Sequence, residues 1–274
     1  MNIDNEIQES LKTLITASRD QSRKLMKIFN NPKGQDRLLE LYDENGIIAS
    51  LIHQILMNKE VAHSLCTTLG SVKKFWDKED VQLAFAQALR NGDTLLIDAI
   101  FYIRQYRDVP VIQDAIAYNI ASCSSMLFQI NIVSGIGLVN HPSIKQAILE
   151  RKRDIIDQIR NNWHESVCLT RTPYLIHDED VRQVLSEARQ DMIQDIIEGD
   201  HLVDISFLMK ELEWLRHDTK IVEAVRDRVS NASARFDYLF MKTLKECGMF
   251  QKYPELKDAL SLHGDNTKAW VLDA

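Results

Sequence analysis

Apolar residues recur along this chain at helical spacing, and one stretch interrupts the charge pattern around them. Residues 115–140 (AIAYNIASCSSMLFQINIVSGIGLVN) carry no charged side chain. A run of about 20 apolar residues is long enough to cross a bilayer. This one holds Asn119, Ser122, Ser124, Ser125, Gln129, Asn131 and Ser134, each costly in hydrocarbon. Gly135 and Gly137 weaken its second half as a helix. The pattern predicts a buried helical hairpin, turning near Ser122–Ser125 and covered by neighbouring helices.

A motif recurs on both sides of that run. Its anchor is an apolar residue one turn into a helix: Val61, Val81, Ile112, Ile144, Val181, Ile221 and Leu256. Six residues before each anchor stands another apolar residue: Ile55, Phe75, Tyr106, Leu138, Leu175, Leu215 and Phe250. Three after it comes a mostly small residue (Ser64, Ala84, Ala115, Ala147, Val184, Ala224, Ala259), and four after it an apolar one (Leu65, Phe85, Ile116, Ile148, Leu185, Val225, Leu260). The anchor and its partners at three and four form one buried stripe. Asn58, Asp178 and Asp218, three before the anchor, suit an N-cap. Pro110, Pro142 and Pro254, two before it, suit a first helical turn. The residue six before the anchor is expected to close the preceding helix. Successive anchors lie 20, 31, 32, 37, 40 and 35 residues apart, a period that suits stacked helix pairs. The first gap is too short for a pair, so the start of the array is irregular.

The remaining apolar periodicity predicts one or two amphipathic helices over residues 1–30, with Ile7, Leu11, Leu14 and Ile15 on one face. A break follows at Asn30–Gly34, then helices over 35–44, 47–57, 94–106, 202–216 and 235–249. Gly92, Gly199 and Gly248 fall where helices end.

Composition narrows the class. The chain has 274 residues, 45% hydrophobic, with only 5 Pro and 9 Gly, too few for the turns of an all-β fold. A net charge of −7 and a pI near 5.6 disfavour bulk nucleic-acid binding. The first ten residues lack the pattern of a secretory signal. Cys66, Cys123, Cys168 and Cys247 share no metal-ligand spacing, and free thiols point to a reducing cytoplasm.

The copy at residues 177–189 (HDEDVRQVLSEAR) resembles the second helix of a HEAT repeat through Asp180, Val181 and Arg182, with Leu185 in place of the usual Ala. Other copies carry Gln82, Gln113, Lys145 or Val222 near the Arg place. The resemblance covers residues 55–262 and implies an all-α, right-handed HEAT/armadillo-like α-solenoid of about six or seven helical hairpins. It implies one continuous domain: irregular helices over 1–54, repeats over 55–262, and a tail over 263–274 that caps the last repeat. It says nothing specific about function.

In such a stack the second helices line the concave side. Positions two, five and nine after the anchor point away from the core: Leu83, Ala86, Arg90; Asp114, Ala117, Ala121; Gln146, Leu149, Arg153; Gln183, Ser186, Gln190; Glu223, Arg226, Ser230. With Tyr118, the first three units present small or apolar residues there, edged by Arg90, Arg153 and Arg226. They form either a shallow groove for a partner helix or peptide, or lateral packing between adjacent second helices. The cluster Glu150–Asp154, with Lys145 and Arg160, is basic enough to touch phosphate but is flanked by acids and suits a solvated face. Residues 161–174 fit the motif least. There Trp163, His164 and Arg171 suit a partner loop, and Cys168 near His164 is a weak candidate for a nucleophilic pair. His141, His164, Cys168 and His177 make no closed metal set. Trp76 and Trp214 read as corner packing, and Trp270 as part of the tail. The expectation is a non-catalytic scaffold that binds a protein or peptide, with no cofactor. A base-repair or other nucleic-acid-binding protein, and an immunity-type protein capturing one basic partner, are the alternatives.

Overall fold

The structure, a computed structural model, describes residues 3–15, 19–44, 46–59, 61–92, 95–230 and 238–261. The expected tail over 263–274, with Trp270, lies outside them, as do the first residues of the helix expected over 235–249. Among the described residues all regular structure is helical. The chain falls into two compact units, residues 1–152 and 153–274.

The first unit holds α1 (Ile3–Leu14), α2 (Arg19–Phe29), α3 (Pro32–Glu44), α4 (Gly46–Met57), α5 (Ala62–Leu69), α6 (Lys73–Trp76), α7 (Glu79–Arg90), α8 (Leu95–Ala99), a 3-10 turn (Arg104–Asp108), α9 (Pro110–Ser122), α10 (Met126–Gly135) and α11 (Pro142–Glu150). Its neighbour contacts form two runs, α4–α7–α9–α11 and α2–α5–α8–α10. α12 (Lys152–Asn161) leads into the second unit. There follow a 3-10 helix (Trp163–Arg171), α13 (Pro173–Ile176), α14 (Glu179–Glu187), α15 (Arg189–Glu198), α16 (Leu202–Glu211), α17 (Glu213–His217), α18 (Thr219–Ser230), α19 (Tyr238–Glu246), α20 (Met249–Lys252) and α21 (Pro254–Ser261). Here the runs are α15–α18–α21 and the Trp163–Arg171 helix with α16 and α19.

Every anchor is buried, as is every residue six before or four after one. At about 1.5–3 kcal/mol for each large apolar side chain removed from water, these positions dominate the driving force for helix association. In six of the seven copies the helix starts two residues before the anchor. Asp178 Oδ1 accepts from the Asp180 and Val181 N–H groups, and Asp218 Oδ1 from those of Lys220 and Ile221 at 3.1 and 3.2 Å. Pro110, Pro142 and Pro254 open α9, α11 and α21. Gly92, Gly199 and Gly248 all have positive φ, as helix ends demand. The charge-free run forms two helices, α9 and α10, joined through Cys123–Ser125 where the turn was expected; α9 packs on α7 and α11, and α10 on α8. Its buried Asn119 is accommodated because the side-chain amide donates to the Leu89 carbonyl at the end of α7, at 2.7 Å.

Three expectations need correction. The residue six before the anchor closes the preceding helix only at Ile55, in the last turn of α4. In five copies it sits in its own four- or five-residue helical turn: Phe75 in α6, Tyr106 in the Arg104–Asp108 turn, Leu175 in α13, Leu215 in α17 and Phe250 in α20. For that reason the helix expected over 94–106 stops at Ala99, and that over 202–216 breaks at Leu212. Second, Val61 belongs to α5, which packs between α2 and α8, whereas α7, α9 and α11 share the other run. The short first gap reflects a change of run. Val61 itself is the N-cap of α5, so Asn58 stands three residues ahead of the cap and faces the Ile15 carbonyl at 3.5 Å. Third, α3 begins at Pro32, inside the expected break, and builds a corner of the same kind.

The corner has a recurring hydrogen-bond pattern. The N–H three before the anchor donates to the carbonyl six before it: Lys78 to Phe75, His141 to Leu138 and Asp178 to Leu175 at 3.3, 2.9 and 2.9 Å. The N–H one after the anchor donates to the carbonyl three before it: Gln82 to Lys78, Gln113 to Val109, Lys145 to His141, Arg182 to Asp178 and Val222 to Asp218 at 2.8–3.1 Å. Both bonds recur at Asn31–Ile28 (3.2 Å) and Gln35–Asn31 (3.1 Å), which places Gly34 at an anchor position. A Cβ on Gly34 would stand 2.1 Å from the Ile28 carbonyl oxygen, so no apolar side chain fits there.

Candidate functional site

On α7, α9 and α11, successive neighbours in the first unit, several of the expected outward positions are exposed, with Tyr118 beside them. Leu83 is 51% exposed, Tyr118 56% and Leu149 36%. Asp114, Ala121 and Gln146 are exposed beside them, and Ala117 and Arg90 are half-buried. Ala86, five after its anchor, is fully buried, so at that place lateral packing holds. One large apolar side chain stands exposed on each of three adjacent helices, two, six and five residues after the anchor, and leaves apolar surface in water, a common mark of an interaction face.

In the second unit, Gln183 and Ser186 of α14 line a recess of about 430 Å³ with Glu179, Arg182 and Trp214. The Trp214 indole Nε1 is buried there without a hydrogen-bond partner. Arg153 and Gln190 are exposed, and Arg226 is engaged with Asp227 at 3.0 Å.

Much of the basic cluster has another task. Arg151 Nη1 donates to the Ala121 carbonyl at 2.7 Å and to that of Ile120 at 3.3 Å, and Nη2 to that of Cys123 at 2.9 Å. These are carbonyls of the last turn of α9 and the residue after it, left open by the end of the helix. Arg151 is therefore a helix cap supplied from a neighbouring element. Lys59 Nζ reaches the Gly92 carbonyl at 3.4 Å, and Arg228 Nη1 that of Ile197 at 3.5 Å, in the same manner.

Residues 161–174 contribute to a polar cluster in the second unit. Trp163 is only 4% exposed. Its ring lies 4.2 Å from that of His164. The His164 ring in turn stacks on His201, with centroids 3.4 Å apart and planes 17° from parallel. Each imidazole faces a carboxylate through Nδ1: His164 faces Asp195 at 3.8 Å, and His201 faces Asp204 at 3.3 Å. His164 Nδ1 and Asp195 Oδ2 are both buried and neither completes a hydrogen bond. Burial, then the nearby His201, push the His164 pKa down, while Asp195, Asp204 and Asp191 pull it up. His201 holds a left-handed backbone, φ 48°, immediately before α16. A cavity of about 330 Å³ opens beside the pair, bordered by Arg160, Asn162, Asp191 and Gln194. Cys168 is buried in the same segment, and burial pushes its thiol up to about 12, far from the depressed value of a nucleophilic cysteine. Arg171 is exposed.

Sequence spacing could not pair His164 with His201, because they come from different elements. It also missed a cluster joining α3, α4 and α7, where the Tyr42 hydroxyl donates to the Asp80 carboxylate and lies 3.3 Å from His53 Nε2. Burial, then the Asp80 bond, raise the Tyr42 pKa, so its proton stays in that bond. Among the described residues no group of three or more His, Cys, Asp or Glu is placed to hold a metal ion, and no helix is long and apolar enough to cross a membrane. No protein-family model, curated protein or solved structure matches the chain.

Proposed function

We propose that the chain is a divergent HEAT/armadillo-like α-solenoid whose role is to bind a protein or peptide along its outward helical face, without a catalytic step. The recurring corner and the ordered runs of neighbours support the solenoid reading. The binding reading rests on one observation: Leu83, Tyr118 and Leu149 stand exposed, one on each of the neighbouring helices α7, α9 and α11. A solvated helix face ordinarily carries Lys or Glu there. An apolar face of this kind holds an amphipathic helix or extended segment through contacts that salt barely weakens.

The test is capture from native lysate with the wild-type chain and with Leu83→Glu and Leu149→Glu, under nuclease and moderate salt. The expected result is one near-stoichiometric protein, lost in both variants while their melting temperatures hold. Unfolding of both variants would mean that the residues pack laterally. Capture that nuclease abolishes would replace protein binding with nucleic-acid binding.

A further inference from the structure

The four side chains Asp195, His164, His201 and Asp204 form a ladder of carboxylate, imidazole, imidazole and carboxylate. It ties three elements of the second unit together: the Trp163–Arg171 helix, α15 and the start of α16. Two features make this more than ordinary packing. The imidazoles touch face to face at 3.4 Å, a contact that neutral rings accept and that two imidazolium ions oppose. The outer partners are also unequal. His201 and Asp204 are 42% and 31% exposed, so their attraction is screened by water, whereas Asp195 Oδ2 and His164 Nδ1 are buried and stop short of a bond.

One proton on the ladder suits this arrangement. A single charge on the stack is offset by Asp195 and Asp204 at its outer edges, 3.8 and 3.3 Å away. A second proton places two positive rings in contact, and burial already opposes the charge on His164. The other charged groups do not change this balance. Asp191, on α15, lines the neighbouring cavity and favours a proton on His164, without overturning the effect of burial. Arg160, on α12, is taken up by Asp157 at 3.4 Å and by Glu187 of α14 at 3.5 Å. Glu165, on the Trp163–Arg171 helix, accepts from the Asn162 amide at 3.2 Å.

We propose that the His164–His201 stack is a proton-operated latch, closed while at most one ring is charged and released when both are. Release frees the Trp163–Arg171 helix from α16 and exposes the edge of Trp163. The latch belongs to the second unit and does not depend on the binding reading of α7, α9 and α11, so either can fail alone.

The experiment is a pH titration of the full chain from neutral to mildly acidic, following histidine Cε1–H signals by NMR and tryptophan emission. His164→Gln and His201→Gln are measured in parallel, and far-UV circular dichroism at each pH reports the helical fold. The expected result is two coupled histidine titrations in the wild type, one below the ordinary histidine range. A red shift of emission should accompany the second titration, helix content should be retained, and the shift should vanish in either variant. The wild-type histidine signals decide the matter even where a variant fails to fold. Independent titration of the two rings at ordinary values, or an emission change that persists in a folded His201→Gln chain, would overturn the latch.

Discussion

At residues 75–81 and 106–112 the chain turns inside a cage of aromatic rings. Trp76 lies edge-on to Phe75 at 4.9 Å, Tyr106 at 5.7 Å and Phe85 at 6.4 Å, and its indole N–H donates to the Leu69 carbonyl at 2.8 Å. Neither corner has a side-chain N-cap. Instead, the Gln one after each anchor reaches back to the carbonyl five before it: Gln82 to Trp76 at 3.1 Å and Gln113 to Arg107 at 2.6 Å. At residues 175–181 and 215–221, in the second unit, the walls are aliphatic and the Asp three before the anchor does the capping. The bond from the N–H one after the anchor to the carbonyl three before it is the same in both regions. The comparison teaches that the turn is specified by backbone geometry and buried volume, and that its polar groups are satisfied by whichever side chain can reach them.

The comparison breaks most severely at the aromatic cage. Trp76→Ala should destabilise the first unit by about 3–5 kcal/mol, read as a lower urea midpoint by circular dichroism. Leu175→Ala should cost less, about 2–3 kcal/mol, because a smaller cavity is left. Next in size, Gly34→Ala forces a methyl group against the Ile28 carbonyl, and the backbone must shift at a cost of about 1–3 kcal/mol. The capping side chains come third. Asp178→Ala and Asp218→Ala should each cost about 1 kcal/mol, and Gln113→Ala a similar amount by leaving the Arg107 carbonyl unpaired. Transplanting the second unit's solution, Val109→Asp, should rescue Gln113→Ala in part. No rescue in thermal melts would mean that the two caps are not interchangeable.

The smallest effect is pH-linked. The His164 pKa is lowered by folding, so the unfolded chain binds that proton more readily. Its contribution to stability is unchanged above about pH 6.5 and falls as pH drops below that value toward the folded pKa. Melting temperatures of wild type and His164→Gln should therefore converge on acidification. A gap that widens would reverse the assigned direction.

Much of the fold was legible because the anchor stripe obeys helical periodicity, and burial of those residues is a demand that local sequence states directly. Asp178, Asp218 and the three prolines were readable for the same reason: caps act within one turn. The short helical turns were not, since four residues carry no period. The corner at Gly34 was hidden because its anchor is the one residue with no side chain. Tertiary partners stayed invisible throughout. Arg151 read as a solvated or phosphate-binding cation because nothing in its neighbourhood names the end of α9, and the His164–His201 stack joins residues that no spacing rule relates.

The corner bonds connect groups only three or four residues apart in sequence, and the Gln bonds only six. Each turn can form before any distant part of the chain arrives, so little loop entropy is spent on bringing its ends together. Folding can then start at several corners at once and spread to their neighbours, the kinetic regime of low contact order, in which rates are fast for the size of the chain. A substitution at one corner should accordingly slow the formation of its own helix pair and leave nucleation elsewhere untouched.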